Sequence, residues 1–399
     1  MKRTRTFAVL AFVELVCISL PLLCAAGEQG WTGSWYAAPV KLSPQFSNVT
    51  LRTVVRLTVG GDRLRLRLSN AYGRTALKVG EVYVAAGVNA KPATFNGKQQ
   101  VLLLPGTVAV SDPVDLKTLP GEDLSVAVFY PETVPQEMTI HGGAGDSITV
   151  VRGNKAHEMH RPGVKALRVF AKYFLAGVDI ESLTSRGTIV ALGDSITDGG
   201  DSNWPALLAR RLSKEGKDYG VLNAAIGGNR LLSEADEVAK ISGIYGQSAL
   251  IRFDRDVIDQ PGIRYVIVYE GINDLGLGKT TESEGPSEVT TSDIVEALRH
   301  LARRAHQHEV KIYVATIAPF EGAALPGYYS LEKEKLREEI NKWIRTSEEI
   351  DGYFDFARAL SDPARPNRMN QKYDSGDHVH PNGAGQEALS ESIDLSRFE

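Results

Sequence analysis

Four short segments carry residues whose types and spacing suit acyl-transfer chemistry. Asp377-His378-Val379-His380-Pro381 places a carboxylate three residues ahead of a histidine. At that spacing the carboxylate can orient the imidazole within one loop, and the imidazole can act as general base toward a serine. Gly193-Asp194-Ser195-Ile196-Thr197-Asp198-Gly199 offers the serine, straight after an apolar run and ahead of a helical pattern. Its glycines allow a tight turn, and the following helix can lend N–H groups to an anion. Asn223-Ala224-Ala225-Ile226-Gly227-Gly228-Asn229 has side chains small enough for backbone N–H groups to approach a substrate. Glu270-Gly271-Ile272-Asn273-Asp274 puts an asparagine amide in the loop after another apolar run, where it can donate to a developing oxyanion.

The elements that must hold these loops are legible as a βα alternation. Short apolar strands are predicted at 188–192, up to 223, at 265–269 and at 311–315. Helices are predicted at 204–212, 249–258, 293–306, 330–347 and 383–393. Strands alternating with helices give a parallel sheet with helices on both faces, and ligands bind at the carboxyl ends of such strands.

The region 31–179 reads differently. Leu64, Leu66 and Leu68 alternate with Arg63, Arg65 and Arg67, the period of a half-buried strand. Val55, Leu57 and Val59 alternate just before them, and Gly60-Gly61-Asp62 between the two runs predicts a hairpin. Further β-rich runs at 82–84, 101–104, 124–130 and 148–151 predict an all-β, jelly-roll-like sandwich. The expected layout is an export signal at 1–26, a sandwich domain at 27–180 and an α/β domain at 187–399.

Composition narrows the function classes. With 45 basic against 49 acidic residues, the chain lacks the strongly basic surface of a nucleic-acid binder. Lys2, Arg3 and Arg5 precede an apolar stretch from Phe7 to Leu23, and Cys24-Ala25-Ala26 then leads to a polar start. This is the pattern of a secretory signal cleaved after about Ala26, so the chain is expected to be secreted or periplasmic. The shortness of the stretch and its internal Glu14 weigh against a retained membrane anchor. Leu23 weighs against acylation of Cys24. Both cysteines, Cys17 and Cys24, lie within this segment. The expected mature chain therefore has no disulfide, no thiolate metal site and no cysteine nucleophile.

Taken in order, the four segments resemble the blocks of the SGNH (GDSL-type) hydrolase superfamily over about residues 187–396. The resemblance implies a flavodoxin-like sheet and Ser195 as nucleophile. It implies Gly228, Asn273 and the Ser195 backbone N–H as oxyanion donors, with Asp377 and His380 completing a triad. Asp194 and Asp274 are read as loop-anchoring carboxylates that support the key residues. No cofactor is needed. Arg56-Leu57, Leu68-Ser69-Asn70-Ala71 and Val110-Ser111-Asp112-Pro113-Val114 resemble secreted bacterial members in which a β-sandwich precedes the hydrolase. The expected function is a secreted ester hydrolase that removes acetyl or other short acyl groups from carbohydrate or small esters. A lipase, lysophospholipase or arylesterase is the alternative within the superfamily. A non-catalytic glycan-binding protein and an O-acyltransferase are alternatives of other classes, and the intact Ser195, Asn273, Asp377 and His380 argue against the binder.

Several motifs compete with this assignment. Gly-Asp-Ser-Ile-Thr also occurs at 145–149, but Ser147 lacks the strand, the helix and the downstream blocks, and reads as a turn residue. His141-Gly142-Gly143 resembles the oxyanion motif of α/β-hydrolases. No Gly-x-Ser-x-Gly elbow follows it, so it reads as a loop that could still face the site. His378 takes a structural or substrate-contact role, because an imidazole adjacent to Asp377 points elsewhere. His300, His306 and His308 read as solvated. His157 and His160 sit in a polar loop, and no metal site is expected. Trp31, Trp35, Tyr36 and Tyr83 read as packing aromatics rather than a sugar-stacking surface.

Overall fold

The computed structural model describes residues 30–42, 46–134, 137–142, 148–159, 167–169, 171–199, 202–234, 244–277 and 289–399. The predicted export segment, Gly143, Ser147 and His160 lie outside the described residues.

The N-terminal part is built from antiparallel sheets. Six strands pair in the order Leu167–Val169, Ile148–Arg152, Val49–Arg56, Asp123–Tyr130, Val82–Ala86 and Asn89–Ala93. Four more pair in the order Trp31–Tyr36, Leu175–Glu181, Arg63–Ser69 and Val108–Val110. The core between them takes Leu51, Val55, Leu124 and Val126 from the first sheet, and Leu64, Leu66, Leu68, Val178 and Ile180 from the second. A smaller sheet of Lys172–Tyr173, Met138–His141 and Val40–Leu42 lies toward the other half of the chain.

The predicted hairpin is not formed. Val49–Arg56 and Arg63–Ser69 belong to opposite sheets. The glycines between them serve close backbone approach at a crossing. Gly61 N–H donates to Thr118 O at 3.1 Å, and a Cβ on Gly61 would stand 2.2 Å from Glu181 O. The arginines of 63–69 do not simply face water either. Arg65 Nε donates to buried Asp179 at 3.0 Å and its guanidinium covers Trp31 at 4.5 Å. Arg67 Nη2 donates to Gln260 across the chain at 2.9 Å.

The C-terminal part is a five-stranded sheet in which every pair is parallel. Its order is Tyr219–Asn223, Gly187–Gly193, Ile263–Tyr269, Lys311–Ala315 and Gly352–Phe354. This is a doubly wound, flavodoxin-like order, with the topological switch between Gly187–Gly193 and Ile263–Tyr269. Ile189 to Leu192 and Val266 to Val268 are fully buried, as strands covered on both faces must be. The helix Thr291–Gln307 covers the sheet through Ile294, Leu298, Leu301 and Ala305, and starts with a capping box of Thr290 and Asp293. The helix predicted at 249–258 is α over Ala249–Phe253 and π over Asp254–Ile258.

The two parts share one apolar core. Gly33 N–H bonds Thr188 Oγ1 at 3.1 Å, Val221 N–H bonds Thr58 Oγ1 at 3.0 Å, and the Tyr36 hydroxyl donates to Asp256 at 2.6 Å. Tyr36 is buried in this contact rather than presented to a sugar. Among the described residues no helix is long and apolar enough to cross a membrane.

Candidate active site

Ser195 lies at the carboxyl end of the strand Gly187–Gly193, beside the switch point. Its Oγ is 2.8 Å from His380 Nε2, and His380 Nδ1 is 2.6 Å from Asp377 Oδ2. The loop that brings the histidine in is fixed by its own backbone. Asp377 Oδ1 accepts the N–H groups of Val379 and His380 at 2.9 and 2.8 Å. Burial alone would raise the Asp377 carboxyl. The hydrogen bonds from the His380 backbone and imidazole and from Val379 outweigh it and hold the group at about 2. An ionised Asp377 takes the proton on Nδ1 as its donor. That leaves Nε2 free to accept the serine proton.

The predicted help from a helix N-terminus is not there. The helix after Ser195 starts only at Trp204, and its first N–H groups are taken by Gln386 Oε1 at 2.8 Å and Asn203 Oδ1 at 2.9 Å. A chain of turns closed by Thr197 and Asp198 N–H on Asp194 O shapes the serine loop instead. The Gln386 side chain also donates to Ile196 O at 2.9 Å, which ties the histidine's helix Gly383–Glu391 to the serine's loop.

The other two segments converge on the same place. Gly228 has φ +75°, and a Cβ there would stand 2.4 Å from the Tyr245 ring, so both space and conformation demand glycine. Asn273 lies in the short helix Ile272–Gly276 rather than in a loop. Its Nδ2 donates to Asn229 O at 2.9 Å, and its Oδ1 accepts the Tyr328 hydroxyl at 2.9 Å. An amide carries two N–H groups, and this arrangement orients the pair with one engaged. Ser195, Gly228, Asn273, Asp377 and His380 all line one cavity of about 590 Å³.

Asp194 and Asp274 bind loops. Asp194 Oδ1 accepts Ile196 N–H at 2.9 Å, and Asp274 accepts Leu231 and Leu232 N–H at 2.8 and 3.0 Å. Burial pushes Asp194 up to about 7 and raises Asp274 as well. Glu270 is raised well above the carboxylate range, by burial first and then by Asp194.

Sequence reasoning missed two residues that hold this arrangement. Arg252, wholly buried, donates to Asn229 Oδ1 at 3.0 Å, Asp256 at 3.0 Å, Gly193 O at 3.1 Å and Glu270 at 3.3 Å, and it also bonds Ala224 O. It ties three of the four segments together. The available signal was an arginine four residues before an aspartate on an otherwise apolar helix face. Arg252→Met is expected to cost about 3–5 kcal/mol of stability by leaving buried carboxylates unpaired. Urea unfolding reads this directly, and an unchanged midpoint would show that Asp256 and Glu270 do not depend on Arg252. Tyr328 is the second missed residue.

His141, in the segment that reads from sequence as a loop able to face the site, does reach the serine's loop. It ends a strand rather than lying in a loop, and it is buried. Its Nδ1 is 2.9 Å from Ala38 O and its Nε2 3.3 Å from Asp198 Oδ1, on the serine's own loop. Burial alone would lower the imidazole, but the Asp198 carboxylate outweighs burial and raises it. His378 has φ +63° and turns away from Ser195 to bond Asp374. His306 is paired with Asp351 at 2.8 Å rather than merely solvated. Among the described residues no group of three or more His, Cys, Asp or Glu could hold a metal ion.

The parallel α/β sheet brings Ser195, His380 and Asp377 together at its switch point, an arrangement chemically suited to acyl transfer. Residues 191–388 belong to the GDSL-like Lipase/Acylhydrolase family, and the chain is a carboxylic ester hydrolase. Solved structures resemble about half of the chain. An acetylxylan esterase from Geobacillus stearothermophilus matches 53% of this chain and 93% of its own at 22% identity, with a TM-score of 0.39. A GDSL-like lipase from Bacteroides thetaiotaomicron VPI-5482 matches 52% of this chain and 85% of its own at 18% identity, with a TM-score of 0.35. No curated protein matches the chain significantly.

Proposed function

We propose that the chain is an exported serine ester hydrolase that works through an acyl-enzyme. A sandwich domain at 27–180 precedes the catalytic domain at 187–399. Ser195 attacks the ester carbonyl as His380 takes its proton, with Asp377 holding the imidazole. Asn273, Gly228 and the Ser195 N–H receive the oxyanion. His380 returns the proton to the leaving alcohol, and water then releases the acid. The observation that carries this reading is the unbroken relay from Ser195 Oγ through His380 to Asp377.

The sequence favours a carbohydrate or small alcohol bearing acetyl or another short acyl group, and the alcohol is kept here. A longer acyl group is the second reading, and the size and apolar lining of the cavity favour it.

The test is hydrolysis of aryl esters from acetyl to decanoyl, together with labelling by a fluorophosphonate and mass mapping of the adduct. Hydrolysis with the label on Ser195 is expected. No hydrolysis of any ester and no adduct would overturn the reading. Added acceptor sugars separate hydrolysis from acyl transfer by their products. Asn273→Ala is expected to lower kcat about 10²–10³-fold with little change in KM, since the amide acts on charge that develops in the transition state. A loss confined to KM would assign Asn273 to ground-state binding.

A further inference from the structure

The cavity over Ser195 is walled by both halves of the chain. Besides the reacting groups, the hydrolase half lines it with side chains such as Leu277, Leu325 and Val379. The N-terminal half lines it with Val40, Ile140 and Ala171. Ile140 and Val40 are register partners on adjacent antiparallel strands. Residues directly opposite one another in such a pair point to the same face, so the two form one continuous apolar surface.

This wall is fixed relative to the nucleophile. His141, next along the strand from Ile140, reaches Asp198 on the serine's loop. Among the described residues lining the cavity, the only charged or titrating side chains besides tyrosines are Asp377 and His380. A sugar ring placed there would lose hydrogen bonds to water and find few replacements. An acetyl group brings one methyl to a space of about 590 Å³. Each further methylene buried against such a wall is worth about fourfold in binding.

We infer that the sandwich half supplies the acyl-binding wall through Val40, Ile140 and Ala171, and that the preferred substrates are esters of apolar acyl chains longer than acetyl. This rests on the serine ester hydrolase reading proposed above.

The test compares kcat/KM for p-nitrophenyl acetate, butyrate, octanoate and decanoate in the full chain, Ile140→Phe and Ala171→Leu. Both variants fill the cavity from the sandwich side, at different points, so one remains informative if the other fails to fold. The octanoate-to-acetate ratio is expected to exceed ten in the unaltered chain and to fall at least tenfold in a folded filling variant. A ratio below one, or one that the filling variants leave unchanged, overturns the inference. So does a preference that follows the alcohol when ethyl and naphthyl octanoates are compared. A Ser195 that takes the fluorophosphonate label while the acyl series is flat overturns the acyl wall alone. Absence of both labelling and hydrolysis overturns the enzyme reading with it.

Discussion

Ser195→Ala is expected to lower kcat for aryl ester hydrolysis by about 10⁶-fold and to leave the folded state nearly intact. The hydroxyl has its one described partner in His380, and the serine stands partly exposed in a turn. Removing it takes away the attacking atom but none of the bonds that shape the loop. Those run through Asp194, Asn223 and Gln386, with Asn223 Nδ2 on Thr197 O at 2.9 Å. His380→Ala should cost about as much, and the double variant little more. The serine and the imidazole act as one unit, so the second loss removes nothing that still functions. Single-turnover and steady-state rates, with circular dichroism to confirm folding, read this. Losses that multiplied in the double variant would mean that Ser195 and His380 serve separate steps, and the acyl-enzyme scheme would fail.

The parts legible in the sequence are those encoded locally. The strands of the parallel sheet are unbroken apolar runs between helical periods, so Ile189 to Leu192 and Val266 to Val268 declare their burial. Asp377 and His380 are three residues apart and meet within one loop, so their partnership can be read from spacing. What stayed hidden depends on contacts far along the chain. Arg252 bonds Gly193 O from 59 residues away, and Tyr328 bonds Asn273 from 55. The Arg252–Asp256 spacing marks a pair on one helix face but not its tie to the site, and nothing near Tyr328 marks it at all. The hairpin expectation failed for a related reason. Alternation identifies a strand but not its partner, and a glycine pair suits a tight turn and a close crossing equally well. Arg65 and Arg67 alternate with the leucines as solvent-facing residues would, whereas Asp179, which takes them both, lies on the adjacent strand but 114 residues from Arg65 along the chain.

Asp377→Asn is expected to lower kcat at neutral pH by about 10⁴-fold while the loop keeps its shape. The Asp377 carboxylate only accepts, so it fixes the proton on His380 Nδ1 and leaves Nε2 basic toward Ser195. An asparagine that turns its amide N–H toward Nδ1 reverses this. It moves the imidazole proton to Nε2, where it blocks abstraction from the serine. The same substitution has a stability signature whose sign follows from the carboxyl's position at about 2, below the ordinary carboxylate value. A group depressed on folding contributes stability that is fully present above the unfolded value and is lost as pH falls through the folded one. The Tm gap between the original chain and Asp377→Asn should therefore be constant from neutral pH down to about 5 and close as pH approaches 2. With its side chain 42% exposed, Asp377 is screened by solvent, and the gap should be modest. The rate loss, in contrast, should already be complete at pH 7, since it comes from the tautomer and not from folding. A rate loss that tracked the Tm gap across pH would mean that Asp377 only holds the loop. A large rate loss beside a small Tm gap at pH 7 is the pattern expected of a carboxylate that works through the imidazole.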